Sequence, residues 1–320
     1  MTSMQGLVGD IGGTHARFAI AEVEGDHARL RDPEILDNTD YTSAEAAIDA
    51  YLAKASPRHR PDSVVLSVAG PVTHGAMHFT NLDWDISEDR LRRSGFHTAR
   101  LVNDFAAQAL GAPRTARGKL RRIGPEVEGE AEETLAVLGP GTGFGVAALA
   151  RQGGREMVLS TEGGHAGFVP LDETEIEIWR WFAKRHGRVS IERVMSGPGF
   201  YELYLALAEI AGAKPAYADG RQVQAAAAGD ALAEATADRF CRILGATAGD
   251  IALGLGARGG VYVTGGVAVS LVDRIASGGF RARFEDKGRF QHYMADIPTF
   301  VVLEPYAALI GAASLLEGRG

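Results

Sequence analysis

The chain has a single cysteine, Cys241, in 320 residues, so no disulfide can form within it. Its setting in Asp-Arg-Phe-Cys-Arg-Ile-Leu points to a buried helix residue, not a reactive thiol, and fits a reducing compartment such as the cytoplasm. A basic excess is missing too. The 33 Lys and Arg residues against 41 Asp and Glu leave a net charge of −8, which argues against nucleic acid or an anionic membrane as the main partner. The longest uncharged stretch, residues 134–150, is interrupted by Pro140 and by glycines, which excludes a membrane helix. The apolar stretch near the N-terminus carries Asp10, His15 and Arg17, the wrong composition for a secretory signal. Familiar nucleotide motifs are lacking as well. Gly118-Lys119 has neither the following hydroxyl nor the upstream glycine of a P-loop. Residues 254–259 match Gly-x-Gly-x-x-Gly, but they end a helical pattern and precede the strand pattern Val261-Tyr-Val-Thr, the reverse of a dinucleotide fold.

What is present is an ordinary globular composition, 46% apolar and 23% charged, on a chain long enough for two domains with separate cores. Apolar runs at 7–8, 18–23, 64–69, 100–102, 135–138, 145–149, 261–264 and 299–303 read as strands. Helical patterns fill much of the rest: Ser43 to Ala55, Ser87 to Ser94, and a long Ala- and Leu-rich block over 200–258 broken near 214–220. The helix from Asp172 to His186 has its own signals. Asp172 can cap it with Glu175 three residues on, Lys184-Arg185-His186 fill the last turn, and Gly187 stops it. The aperiodic segment 114–133 is the candidate crossing between domains.

Two glycine hairpins stand out. Gly9-Asp-Ile-Gly-Gly-Thr14 and Gly139-Pro-Gly-Thr-Gly143 each lie between apolar runs and each carry a threonine, Thr14 and Thr142. Backbone N–H groups unobstructed by side chains form a cradle for a polyphosphate, and the repetition suggests an internally duplicated ATPase; two unrelated tight turns remain the plainer reading. Gly265-Gly266, directly after a strand, could let the backbone pass beneath an adenosine, or be a simple strand-to-helix turn. Phosphoryl transfer to an alcohol needs a carboxylate to take the hydroxyl proton. Asp104 follows the short strand Arg100-Leu-Val and opens an apolar helix, the place where open α/β sheets bind ligands; the competing reading is a helix N-cap. Glu162 and His165 in Glu-Gly-Gly-His should project from a loop, and Glu192 lies in Ser-Ile-Glu-Arg. Hydrogen bonding to sugar hydroxyls suits them better than a metal, since no third ligand lies at a recognisable spacing.

Taken in order, these segments resemble the bacterial glucokinase family: the two phosphate motifs, Val102-Asn-Asp-Phe105, Glu162-Gly-Gly-His165, Ser190-Ile-Glu-Arg-Val-Met-Ser-Gly-Pro-Gly199, and Phe284-Glu-Asp-Lys-Gly-Arg-Phe290. The resemblance implies an α/β, two-domain actin-like ATPase (ribonuclease H-like) fold with internally duplicated domains and a central cleft. It implies a small domain of 1–112 plus 304–320 and a large domain of 113–303. The implied activity is ATP-dependent phosphorylation of glucose at its 6-hydroxyl in the cytoplasm, with another hexose or amino sugar, or a non-catalytic sugar sensor, as alternatives. The single cysteine excludes the three-cysteine zinc cluster of the repressor/kinase sugar proteins. By the same resemblance Asn103, Asp104, Glu162, His165 and Glu192 contact glucose, with Asp104 as base. Gly9, Asp10, Ile11, Gly12, Gly13, Thr14, Gly141, Thr142, Gly143, Gly265 and Gly266 surround ATP, and Asp10 helps hold Mg2+ through the nucleotide. On this reading, changes at Glu192 or His165 act on glucose far more than on ATP. A homodimer is left open. Two departures are His15, where many members have Asn, and Ala307-Ala308, where a glycine is common.

Overall fold

In the computed structural model, residues 4–25, 27–55, 60–79 and 82–316 are described. The chain divides into two units, one running up to Arg117 and resuming at Glu304, the other spanning 118–303.

The first unit is built on the strands β1 Met4–Ile11, β2 His15–Glu24, β3 His27–Asp37, β4 Ser63–Val68 and β7 Thr98–Asn103, in the order β3-β2-β1-β4-β7; β5 Ala76–His78 and β6 Asp85–Ser87 form a separate ribbon. β1, β2 and β3 make an antiparallel meander, while β4 and β7 run parallel to β1. The helices α1 Ala44–Ala55, α2 Glu88–Arg93 and α3 Asp104–Gly111 follow their strands. Phe18, Ile48, Tyr51, Leu66 and Trp84 fill the core between sheet and helices. The C-terminal helix Ala307–Ser314 crosses α3 so closely that a methyl group on Gly111 would lie 1.8 Å from the Ala307 carbonyl oxygen, and one on Gly311 1.9 Å from that of Ala107. Only glycine at both positions permits the crossing, which ties residues from Glu304 onward to the first unit. Ala307 and Ala308 are both buried in that contact.

The second unit repeats the plan. β9 Leu135–Pro140, β10 Phe144–Gln152 and β11 Arg155–Thr161 form the meander, and β12 Gly260–Val263 and β13 Thr299–Val302 run parallel to β9. The order β11-β10-β9-β12-β13 is that of the first sheet, extended by one antiparallel edge strand, β8 Leu120–Ile123. The segment 114–133, expected to be an irregular crossing, thus supplies a strand of this sheet. Helices α4 Glu173–His186, α5 Ile191–Met195, α6 Gly197–Ile210, α7 Gly220–Ala226 and α8 Ala231–Leu255 precede β12, and α9 Gly266–Ser270, α10 Val272–Ser277, α11 Phe280–Glu285 and α12 Gln291–Ala295 follow it. Phe200 and Phe240 meet edge-to-face and Phe280 stacks on Phe284 within one apolar core. Cys241 is buried there, and burial pushes its thiol up to about 12, so it is chemically inert. Residues 254–259 end α8 with Gly256 in the left-handed conformation, a helix stop and not a nucleotide loop.

Around α4 the cap is more elaborate than expected. Asp172 accepts from the Glu175 N–H at 2.9 Å, but the Glu175 side chain does not return to Asp172. It accepts from the Leu171 N–H at 2.8 Å and, 1% exposed, meets the Arg239 and Arg283 guanidinium groups, which also pair with Asp172. This cluster joins α4, α8 and α11. Among the described residues no helix is long and apolar enough to cross a membrane.

Candidate functional site

In the first unit the turn Gly12–Thr14 joins β1 to β2, with the Gly12 N–H on the His15 carbonyl at 3.0 Å. Gly13, Thr14 and His15 are exposed at its tip. Gly9 and Ile11 lie upstream inside β1, where Ile11 is fully buried, so the turn itself is made by Gly12, Gly13 and Thr14. Asn38, not singled out in the sequence, supports the turn from beneath: its side-chain amide donates to the Gly12 carbonyl at 2.8 Å and its N–H to that of Thr14 at 2.9 Å. Asp10 points from β1 to Arg17 Nη1 at 3.1 Å and accepts from Ser67 Oγ at 3.0 Å. Burial raises its carboxyl above the ordinary value, and Arg17 and Ser67 offset only part of that.

At the carboxyl end of β7, Asn103 is the N-cap of α3, its Oδ1 accepting from the Phe105 and Ala106 N–H groups at 3.0 and 3.2 Å. Its Nδ2 donates to the Gly70 carbonyl at 3.2 Å. The capping role considered for Asp104 therefore belongs to Asn103, because the chain turns into the helix one residue earlier. Asp104 is the first helical residue, half-buried, with Oδ1 accepting from the Phe105 N–H at 2.9 Å.

In the second unit the hairpin between β9 and β10 is closed by the Gly141 N–H on the Gly143 carbonyl at 2.8 Å, with Thr142 exposed at the tip. Gly265, two residues beyond β12 and capping α9, has φ +95°, and a methyl group there would lie 2.3 Å from the Pro140 carbonyl oxygen. This close approach sets the Gly265-Gly266 turn, and the start of α9, beside the hairpin. Glu162 and His165 are not on an open loop, as their glycines suggested, but flank one turn of 3-10 helix, Gly163–His165, closed by the His165 N–H on the Glu162 carbonyl at 3.0 Å. Both side chains are exposed. Glu192 sits in the first turn of α5, with Ser190 as its cap, and its Oε1 lies 3.9 Å from His165 Nδ1. The structure thus brings together Glu192, His165 and the second hairpin in one unit, and Asp104, Asn103 and the Gly70 loop in the other. Arg17, Ser67 and Asn38 carry no motif. Only the strand register, which sets Asp10 opposite both Arg17 and Ser67, reveals the first two.

The repeated sheets, each opening on a glycine hairpin, define the actin-like ATPase fold. That fold is shared with a kinase of the ROK class from Streptomyces griseus, solved with glucose and AMPPNP, at 21% identity and a TM-score of 0.66 over 98% of this chain and 99% of that one. A glucokinase from an Antarctic psychrotroph matches more strongly, with 34% identity and a TM-score of 0.90 over 98% and 99% of the two chains. The family model described as Glucokinase matches residues 7–319, and a glucokinase of Caulobacter sp. (strain K31) is 55% identical over 98% of this chain and 96% of its own. The chain belongs to the glucokinase family. It is an enzyme, a kinase that uses ATP to phosphorylate glucose.

Proposed function

We propose that Asp104 is the general base by which this chain transfers the γ-phosphoryl group of ATP to the 6-hydroxyl of glucose. The observation that carries this is the placement of Asp104 at the carboxyl end of a parallel strand, with the helix cap supplied by its neighbour Asn103. Asn103 fixes the start of α3, and the Phe105 N–H steadies Asp104 Oδ1, so the carboxylate is oriented before substrate arrives. As the sugar oxygen bonds to the γ-phosphorus, the bond from phosphorus to the β–γ bridging oxygen breaks, ADP leaves with that electron pair, and the hydroxyl proton passes to Asp104.

Asn103, Glu162, His165 and Glu192 are the proposed partners of the other glucose hydroxyls. The backbone N–H groups of the two glycine hairpins would cradle the phosphates, and the Gly265-Gly266 turn would pass beneath the adenosine. Asp10 suits Mg2+ held through the nucleotide, since its desolvated carboxylate stands at a raised pKa and gains from a nearby cation. When bound, Mg2+ neutralises charge developing on the phosphate oxygens. The proposed functional division is 1–112 plus 304–320 against 113–303, and the proposed setting is the cytoplasm, which the single buried thiol fits. A homodimer belongs to the same reading and is tested by light scattering after size exclusion. A coupled assay across several hexoses, with wild type and Asp104→Asn, tests the mechanism. Glucose turnover that survives the substitution overturns the base assignment.

A further inference from the structure

The sequence points to Glu192 acting on the sugar far more than on the nucleotide, yet its carboxylate is also built into the second glycine hairpin. Oε2 accepts from the Phe144 N–H at 2.9 Å, at the point where the turn becomes β10. A methyl group on Gly143 would lie 2.4 Å from that same oxygen, so the last glycine of the hairpin is what admits the carboxylate. Five residues further on, the Gly197 N–H at the start of α6 donates to the Gly141 carbonyl at 2.8 Å. The two shoulders of the hairpin are therefore pinned by one short segment, 191–197. That segment is pinned in turn to the Glu162–His165 turn, through the Ile191 N–H on the Ala166 carbonyl at 2.8 Å and the 3.9 Å approach of Oε1 to His165. A carboxylate held against a phosphate cradle removes one of its donors and adds negative charge, which phosphate binding alone would not favour.

Given the proposed reading of Glu192 as a glucose ligand, we infer that it is also the positioning residue of the second phosphate hairpin. One carboxylate oxygen sets the hairpin and the other faces the sugar. The inference requires that a change on either side be felt on the other: a hairpin substitution must weaken glucose, and a Glu192 substitution must weaken nucleotide in the absence of sugar.

Calorimetric titrations with each substrate alone test this. Glu192→Ala removes the hairpin acceptor and should weaken binding of AMPPNP with Mg2+, without glucose, by about tenfold, as expected for loss of a hydrogen bond to a charged group. Glu192→Gln keeps an oxygen for the Phe144 N–H, so its sugar-free AMPPNP affinity should stay within about threefold of wild type while glucose binding falls. Gly143→Ala displaces the carboxylate and should weaken glucose binding, without nucleotide, by about fivefold or more, although Gly143 lies in no sugar segment. Gly143→Ala with wild-type glucose affinity overturns the inference. So does Glu192→Ala with unchanged AMPPNP affinity, or Glu192→Gln as damaging to AMPPNP as Ala. Because binding of each substrate is read separately, failure of wild type to bind or turn over glucose would instead count against the proposed function. Should Glu192→Ala not fold, the Gly143→Ala and Glu192→Gln arms decide.

Discussion

Asp10 and Arg17 are direct cross-strand partners in the β1–β2 register, and their side chains close that pairing with a 3.1 Å contact. On the other side of β1 the register partner of Asp10 is Ser67, which donates to the second carboxylate oxygen at 3.0 Å. The carboxylate is thus gripped from both neighbouring strands and still stands above its ordinary pKa because burial outweighs both partners. A raised acid favours the protonated form in the folded state, so the stability it contributes is present below the unfolded value of about 3.9 and is lost as pH rises through the folded value.

Asp10→Asn should therefore leave the Tm of the ligand-free protein at pH 7 no lower than wild type while raising the Mg2+ concentration needed for half-maximal turnover. Scanning calorimetry and a Mg2+ titration of the coupled assay check the two halves. A lower Tm with an unchanged Mg2+ requirement would make Asp10 a purely structural residue. Chelation of Mg2+ should abolish turnover of wild type, with recovery on adding it back.

Asp104→Asn should lower kcat by about 10²–10⁴, the range for loss of a positioned proton acceptor, with the KM for glucose changed only a few-fold. A steady-state assay at saturating ATP gives both numbers. Retention of more than a third of wild-type kcat removes Asp104 from the base role. Collapse of glucose binding makes it chiefly a binding residue.

His165→Ala should raise the KM for glucose by roughly tenfold while the KM for ATP moves less than about twofold, since His165 is a proposed sugar ligand beside Glu192 and the hairpin hydrogen bonds come from Glu192 and Gly197. Equal effects on both constants would place His165 outside the sugar set.

The Asp172–Glu175–Arg239–Arg283 cluster predicts a stability effect remote from the chemistry. Glu175→Ala leaves two guanidinium groups without their most deeply buried partner and should cost about 3–5 kcal/mol in urea denaturation, the range for breaking a buried pair. Burial acts to raise the Asp172 carboxyl, but the Glu175 N–H, Arg239 and Arg283 outweigh it and leave the value lowered. Its stabilisation is therefore complete above the unfolded value of about 3.9 and lost as pH falls toward the folded one. Asp172→Asn should flatten the acid limb of a stability-versus-pH curve below about pH 4. An unchanged acid limb would contradict the pairing.

The strands legible in the sequence were those that carry a continuous apolar run. Strands β1, β2, β4, β7, β9, β10, β12 and β13 include the central strands of both sheets, and each carries an apolar run that marks it. The strands β3, β8 and β11, and β5 and β6 of the separate ribbon, escaped because their buried positions are sparse or alternate with exposed ones and no apolar run marks them. β3 even tolerates Pro33, next to a register shift and Asp32 at φ +50°, as an edge strand can. The proposed site residues followed a similar rule. Asp104, Glu162, His165 and Glu192 could be picked by residue type beside strand ends and glycines. The contacts of Glu192 with Phe144, and of Asn38 with Gly12, span 48 and 26 residues of chain and arise only from packing.

The reciprocal glycine crossing of Gly111 and Gly311 also sets an order on synthesis. A ribosome that has finished α3 must translate the 186 residues from 118 to 303 before the partner helix exists, roughly 10–40 s at ordinary elongation rates. The second unit, continuous in the chain, can fold in that interval. The first unit waits with the flank of α3 that receives the crossing, Ala107 and Gly111, uncovered until Ala307 and Gly311 arrive.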